Sequence, residues 1–238
     1  MVTGKTTLVS TTSAGGLGDG DSFDDAAPSA DHRFVTFNSD ATNLVPGDTN
    51  GALDVFVHDL VTGQTTRVSV SSSGEQGDGN SDYVPVISAN GRFVAFSSAA
   101  DNLVRNDTNG FPDLFVRDLK TGKTTLLSKS PTGDEGNNIS RGNKGISSDG
   151  RFVAYQSFAS NLVPGDTNGT RDIFLTDRET GQTVRVNVST AGAQADGPSF
   201  NTSLSEDGAW VGFSSDETNL VPEDTNGVSD GFVRGPFG

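Results

Sequence analysis

The sequence contains no cysteine, and its 238 residues include only one methionine, one tryptophan and two tyrosines. Without cysteine the chain has neither disulfides nor thiolate ligands for a metal. No apolar run approaches the length of a membrane-spanning helix. Lysine and arginine number 16 against 31 acidic residues, which gives a net charge of −15. Because phosphate contacts need clustered basic residues, this balance argues against a nucleic-acid partner and suits cations or basic partners.

One motif, Asp-Thr-Asn-Gly, occurs four times in the chain, at spacings of 59, 59 and 58 residues. A fixed period of this size predicts a propeller, a solenoid or an array. We expect residues 1–238 to form a single domain. Its four repeats are residues 3–61, 62–120, 121–179 and 180–238. Because Met1 to Gly4 lead directly into the first repeat, we expect no signal peptide within this sequence.

Each repeat holds four runs of β-branched and aromatic residues, separated by glycine-rich turns, and none holds a helical pattern. The sequence therefore predicts an all-β protein, a β-propeller of four four-stranded blades. We expect residues 6–10 to pair with the strand around Phe232, which would close the ring and remove two exposed sheet edges. The first and third repeats open alike, as do the second and fourth. This alternation leaves open an alternative, in which the chain is half of an eight-bladed ring made by two chains.

Residues 87–97, Ile-Ser-Ala-Asn-Gly-Arg-Phe-Val-Ala-Phe-Ser, and residues 115–122, Phe-Val-Arg-Asp-Leu-Lys-Thr-Gly, carry a resemblance to a known family. They resemble the WD40-like (PD40) repeats of the TolB-type β-propeller family, and the resemblance extends over all four repeats. The sequence departs from that family in its added acidic loop and in having four blades where about six to eight are usual. The resemblance implies an extracytoplasmic, secreted or periplasmic binding scaffold without enzymatic activity, and it implies no particular ligand.

The acidic loop places Asp48, Asn50 and Asp54 at positions 1, 3 and 7 around a glycine turn. Hard oxygen ligands at such alternate positions suit Ca²⁺. The predicted calcium ligands in the four repeats are Asp48, Asn50, Asp54, Asp107, Asn109, Asp113, Asp166, Asn168, Asp172, Asp224, Asn226 and Asp230. The alternative is purely structural: Asp48 caps an Asx turn, and Asn50 with Gly51 supplies the bend.

The repeats differ most in their innermost strands, which would line the mouth of a central channel. We predict that a protein or carbohydrate ligand binds there, through Phe23, Asp24, Tyr83, Arg141 and Phe200. Residues that occur in only one repeat are the best candidates because a repeated residue serves the common fold.

The alternative function is a polysaccharide-active lyase or hydrolase that uses the central channel. Such an enzyme would need a cluster of basic side chains, and Arg141 and Lys144 are the only ones expected there. His32 and His58 are interpreted as surface residues. We therefore expect a calcium-binding, non-enzymatic interaction scaffold. The chain should be a monomer, or a dimer if the eight-bladed alternative holds.

Overall fold

The computed structural model describes residues 4–237, except for the side chains of residues 24, 25, 143 and 144. Thr3, where the first repeat was predicted to begin, lies outside these residues. Among the described residues there is no helix long and apolar enough to cross a membrane. The strands are β1 Ser22–Pro28, β2 Phe34–Ser39, β3 Asp54–Asp59, β4 Thr65–Arg67, β5 Val86–Ile87, β6 Phe93–Ser98, β7 Asp113–Asp118, β8 Lys123–Leu126, β9 Ser140–Ile146, β10 Phe152–Ser157, β11 Asp172–Asp177, β12 Gln182–Arg185, β13 Ser199–Leu204, β14 Val211–Ser215 and β15 Asp230–Arg234.

The strands form four separate antiparallel sheets, which we call blades one to four. Blade one is β1 to β4, blade two β5 to β8, blade three β9 to β12, and blade four β13 to β15. The all-β prediction is confirmed. Every described blade places two aromatic rings opposite each other on its second and third strands, as with Phe37 and Phe56, whose ring centroids lie 5.8 Å apart. The fourth strand of a blade comes from the opening of the following repeat, as predicted.

The core lies between neighbouring blades. Val55 and Val68 of blade one form one buried cluster with Phe96, Leu103 and Phe115 of blade two. Equivalent clusters lie between blades two and three and between blades three and four. Each blade thus buries its apolar face against the next, and the first strands of successive blades lie against one another on the inside.

At the opposite end of each sheet from the acidic loop, tight turns connect the first and second strands. Gly150 adopts φ 75° in one of these turns, and a Cβ there would lie 2.2 Å from a ring atom of Phe93 in the preceding blade. Both the positive φ and the close contact with Phe93 therefore require glycine at this position. His32 stands at the equivalent position in blade one with φ 59° and is exposed.

The predicted ring closure is wrong for this structure. Residues 6–10 form no strand, and β15 is the last strand of its sheet. Val9 instead packs against Phe37 and Phe56 of blade one, while Val233 on β15 is 66% exposed. A closed ring of four blades requires about a right angle between successive sheets. That angle depends on packing between blades, which the pattern within one repeat does not encode.

Candidate functional site

The asparagine of each acidic loop is engaged by the turn itself. In blade one, Asn50 accepts a hydrogen bond at Oδ1 from the Ala52 amide (3.1 Å) and donates from Nδ2 to Asp54 (3.1 Å). The loops containing Asn109, Asn168 and Asn226 repeat both bonds. The structural alternative assigned an Asx turn to Asp48, but in each loop it is the asparagine whose side-chain oxygen accepts the backbone N–H of such a turn.

In blade one the two aspartates of the loop enclose an arginine. The guanidinium of Arg67 lies 3.3 Å from Asp48 and 3.2 Å from Asp54, and the arginine side chain is only 6% exposed. It also donates to Oε1 of Gln76 (2.7 Å). A guanidinium therefore fills the space that the sequence prediction assigned to a cation. Its source is β4, the fourth strand of the same blade.

Blade three has the same arrangement. Arg185 on β12 lies 3.2 Å from Asp166 and 3.4 Å from Asp172, and it donates to Oε1 of Gln194 (2.9 Å). Blades one and three thus share a buried group of two aspartates, one arginine and one glutamine. A charge buried in this way is stable only when an opposite charge accompanies it.

Blade two has the same loop but no arginine. Leu126 stands where Arg67 and Arg185 stand, and Glu135 replaces the glutamine. Asp113 is fully buried and Asp107 is 6% exposed, and Oδ1 of Asp107 has no hydrogen-bond partner. In the part of the chain that the structure describes, no basic side chain lies within ion-pair distance of either aspartate.

Burial governs the electrostatics of these loops. It raises the pKa of Asp107 to about 7, with further contributions from the charges of Asp113 and Glu135. In blade three burial and the neighbouring carboxylate raise the pKa of Asp166 to about 6, although Arg185 opposes the rise. The arginines therefore reduce the cost of burying these carboxylates without removing it.

Blade four is the most open of the four loops. Asp224 and Asp230 are both partly exposed, and Asn226 donates to Asp230 (2.8 Å). Within residues 4–237 no group of three acidic or histidine side chains is already arranged to hold a metal ion. Calcium binding at the twelve predicted residues therefore stays a prediction.

A second group of residues includes three of the predicted ligand residues and lies on and beside the first strands of blades two to four. The guanidinium of Arg141 lies 5.4 Å from the ring centroid of Tyr83 and 3.7 Å from Asp82. The Tyr83 hydroxyl accepts a hydrogen bond from Nε2 of Gln156 (2.8 Å). Tyr83 has φ 80°, which is strained for a bulky residue and sets the direction of its ring.

Next to this pair, Arg171 is enclosed by two aromatic rings. Its guanidinium lies 5.2 Å from the centroid of Phe200 and 5.7 Å from that of Phe158, which is 43% exposed. We call Tyr83, Arg141, Phe158, Arg171 and Phe200 the aromatic–arginine cluster. The sequence analysis named three of them and missed Phe158 and Arg171.

Several buried polar atoms in or beside the cluster have no hydrogen-bond partner among the described side chains: Oδ1 of Asp82, Nε of Arg141, Oε1 of Gln156 and Oγ1 of Thr202. Buried polar groups are nearly always paired, so such a concentration indicates a place for water or for a ligand. Of the other predicted ligand residues, Phe23 is exposed on β1, and the side chain of Asp24 lies outside the described residues.

Two further side chains differ from expectation. His58, interpreted as a surface residue, is buried and contacts Oγ1 of Thr65 (2.9 Å), so that interpretation is wrong. The fourth strand covers it, which the pattern of β3 alone does not show. Glu217 is buried where the other blades have alanine, and it hydrogen-bonds to Ser199 (2.9 Å). Burial raises the pKa of Glu217 to about 7.

The fold is similar to that of solved β-propellers. TolB from Acinetobacter baumannii shares 17% identity, with 91% of this chain and 41% of that one covered and a TM-score of 0.52. An oligogalacturonate lyase from Vibrio parahaemolyticus shares 16% (91% and 53% covered, TM-score 0.50). The β-propeller domain of the Trilobed protease from Pyrococcus furiosus shares 12% (82% and 48% covered, TM-score 0.50).

The chain spans about half the length of these structures. No family model matches the sequence, and no curated protein does. At such low identities the likeness shows a propeller-type fold alone, because one fold hosts many functions. The argument about function therefore depends on this chain's own residues.

Proposed function

We propose that the protein is a non-enzymatic binding scaffold of the propeller type, and that a peptide segment of a protein partner docks on the aromatic–arginine cluster. One observation carries the proposal: aromatic rings, arginines and unpaired buried polar atoms occur together on the first strands of blades three and four and in the segments beside the strands of blades two and three. Aromatic and arginine side chains dominate the energetics of protein interfaces.

The chemistry of the cluster suits a peptide. Phe158 is exposed and offers apolar area, while Arg171 remains partly exposed beside it. A peptide backbone supplies C=O groups, which can accept hydrogen bonds from the guanidinium of Arg141, whose side chain is 36% exposed. An extracytoplasmic location, which the family resemblance implies, belongs to the same proposal.

The experiment is selection from a displayed random-peptide library, followed by affinity measurements on the Arg171→Ala and Phe158→Ala variants. We expect both substitutions to weaken binding at least tenfold. The control is Arg33→Ala, because Arg33 stacks on Phe34 in a similar way (4.7 Å) at the other end of blade one. Failure to select any peptide, or equal affinity for Arg171→Ala and Arg33→Ala, would contradict the proposal.

The second candidate is a polysaccharide-active enzyme. The observation in its favour is that the structure adds Arg171, which directly precedes the third strand of blade three, to Arg141 on the first strand of the same blade. Arginine pairs well with carboxylates, so an acidic polysaccharide is the substrate to test. Incubation with polygalacturonate and measurement of unsaturated products decides this: product formation that Arg171→Ala abolishes would replace the binding proposal.

Calcium remains a proposal for the acidic loops. The two loops that contain a buried arginine already hold a positive charge. The case for a metal ion is therefore strongest in the loop that lacks one.

A further inference from the structure

We propose that blade two holds one divalent cation between the carboxylates of Asp107, Asp113 and Glu135, in the position that a guanidinium fills in blades one and three. The site uses no residue of the aromatic–arginine cluster, so this inference and the proposed peptide binding can each fail alone. Three independent features of the loop support it.

The first feature is an unpaired acceptor. Asp107 is more than nine-tenths buried, and its Oδ1 has no partner. Its counterpart in blade one, Asp48, lies 3.3 Å from Arg67. An isolated buried carboxylate costs several kcal/mol in a typical protein unless an opposite charge accompanies it. The carboxylate that pairs with arginine in blade one therefore has no positively charged partner among the described residues in blade two.

The second feature is the paired exchange of two residues. Where the arginine is present, its partner is a neutral glutamine, as with Arg67 and Gln76 (2.7 Å). Where the arginine is replaced by Leu126, the glutamine is replaced by Glu135. Blade two thus lacks the positive charge of the arginine and carries the negative charge of the glutamate in addition. Without a cation, both differences would destabilise the folded protein.

The third feature is the resulting charge. Two aspartates and one arginine leave one negative charge in blades one and three. With all three carboxyls ionised, two aspartates and one glutamate give three negative charges in blade two, and a divalent cation returns the total to one negative charge. Asp78 and Asp101 lie near enough to add to the negative potential at Asp107. With a divalent ion bound, the net charge of this group in blade two equals that in blades one and three. This equality is the simplest account of the exchange of the two residues.

The oxygen ligands favour Ca²⁺ among divalent ions. Asp107 would bind directly through its unpaired oxygen. Asp113 accepts hydrogen bonds from Ser128 (2.5 Å) and Asn109, and the described residues contain no ready-made group of three ligands, so its carboxylate would have to shift toward the ion. Glu135 now accepts hydrogen bonds from the amide (2.8 Å) and hydroxyl (3.2 Å) of Thr108, so it would reach the ion with its other oxygen or through water. Asn109 supports Asp113 from outside (2.6 Å) and is not a ligand.

The experiment exchanges two residues between the blades: the arginine and glutamine of blade one, and the leucine and glutamate of blade two. Calorimetric titration of the EDTA-treated full chain with CaCl₂, at fixed ionic strength, should give one site per chain. Leu126→Arg combined with Glu135→Gln gives blade two the set of blade one and should abolish binding. Arg67→Leu combined with Gln76→Glu gives blade one the set of blade two and should raise the stoichiometry to two.

Each other outcome decides against the proposal. If the calorimetric titration gives no heat and EDTA leaves the melting temperature unchanged, no cation is bound. Proton uptake by the carboxylates would then neutralise the buried charge. Four sites per chain, or one site that survives Leu126→Arg with Glu135→Gln, would place the metal elsewhere. If the blade-one exchange does not fold, Asp107→Asn provides the second test: it should remove the calcium heat while circular dichroism stays unchanged.

Discussion

The loops of blades one and two share the sequence Asp-Thr-Asn-Gly, the same Asx turn and the same buried pair of aspartates, but they differ in what neutralises that pair. In blade one Arg67 reaches between Asp48 and Asp54 (3.3 and 3.2 Å). In blade two Leu126 occupies the arginine's place, and Asp107 keeps an unpaired oxygen. The backbone of the loop thus stays constant although the arginine that neutralises its aspartates in blade one is absent from blade two.

This difference shows where a repeat protein can vary at low cost. The aspartates stay because Asn50 and Asn109 hydrogen-bond to them and fix the turn before the third strand. The residue on the fourth strand is free to change as long as some cation remains. A substitution that tests this difference between the two loops should therefore change the charges around the aspartates and leave the asparagine turn intact.

The largest expected effect follows from Arg67→Leu alone. It leaves Asp48 and Asp54 buried without a counterion, and breaking a buried ion pair from one side costs about 3–5 kcal/mol. Urea unfolding in the presence of EDTA measures the loss. The control is Arg33→Leu, since Arg33 pairs with Asp59 (2.8 Å) but is 47% exposed, and exposed pairs contribute about 0–1 kcal/mol. A loss no larger than that of the control would show that Arg67 does not neutralise the loop.

The next largest effect is that the same substitution in the two loops should change the free energy of unfolding in opposite directions. In EDTA, Asp48→Asn should destabilise the protein by about 1.5–3 kcal/mol because it removes a charged partner of Arg67. Asp107→Asn should stabilise it by about 1 kcal/mol because it removes an uncompensated buried charge. Thermal unfolding of both variants measures the gap. If both shift the melting temperature in the same direction, the two loops are electrostatically equivalent and the comparison fails.

Glu217 provides a buried acid whose charge nothing compensates except hydrogen bonds. Its pKa is raised from 4.5 to about 7, chiefly by burial, so the folded protein holds the proton to a higher pH than the unfolded chain does. Stability should therefore fall by about 2 kcal/mol as the pH rises from roughly 4.5 to 7. Glu217→Gln should remove that part of the pH dependence and raise stability at pH 8. An unchanged pH profile would mean that another group is responsible.

The sequence predicted the strands and turns that all four repeats share, but it did not predict the contacts that differ from one repeat to another. The period and the turn before Asp54 follow from local patterns. Each sheet takes its first three strands from one repeat, and blades one to three take the fourth strand from the next repeat. The roles of Arg67 and Leu126 do not follow, although their alternation is visible, because β4 must first lie beside β3. Ring closure through residues 6–10 depends on the angle between sheets, which no single blade determines.

The smallest expected effect concerns the exposed version of the same charge pairing. Arg151 and Asp177 form a two-bond pair (3.0 and 2.8 Å) that is partly exposed, whereas Arg67 is buried. Hydrogen bonding to Arg151 lowers the pKa of Asp177 from 3.8 to about 2. The stability from this pair is therefore present above pH 3.8 and is lost as the pH falls toward 2. Because water screens an exposed pair, Asp177→Asn should cost less than about 1 kcal/mol at pH 7 and almost nothing near pH 2. Urea unfolding at both pH values measures this cost. A loss as large as that of Arg67→Leu would show that burial is not what separates the two kinds of pair.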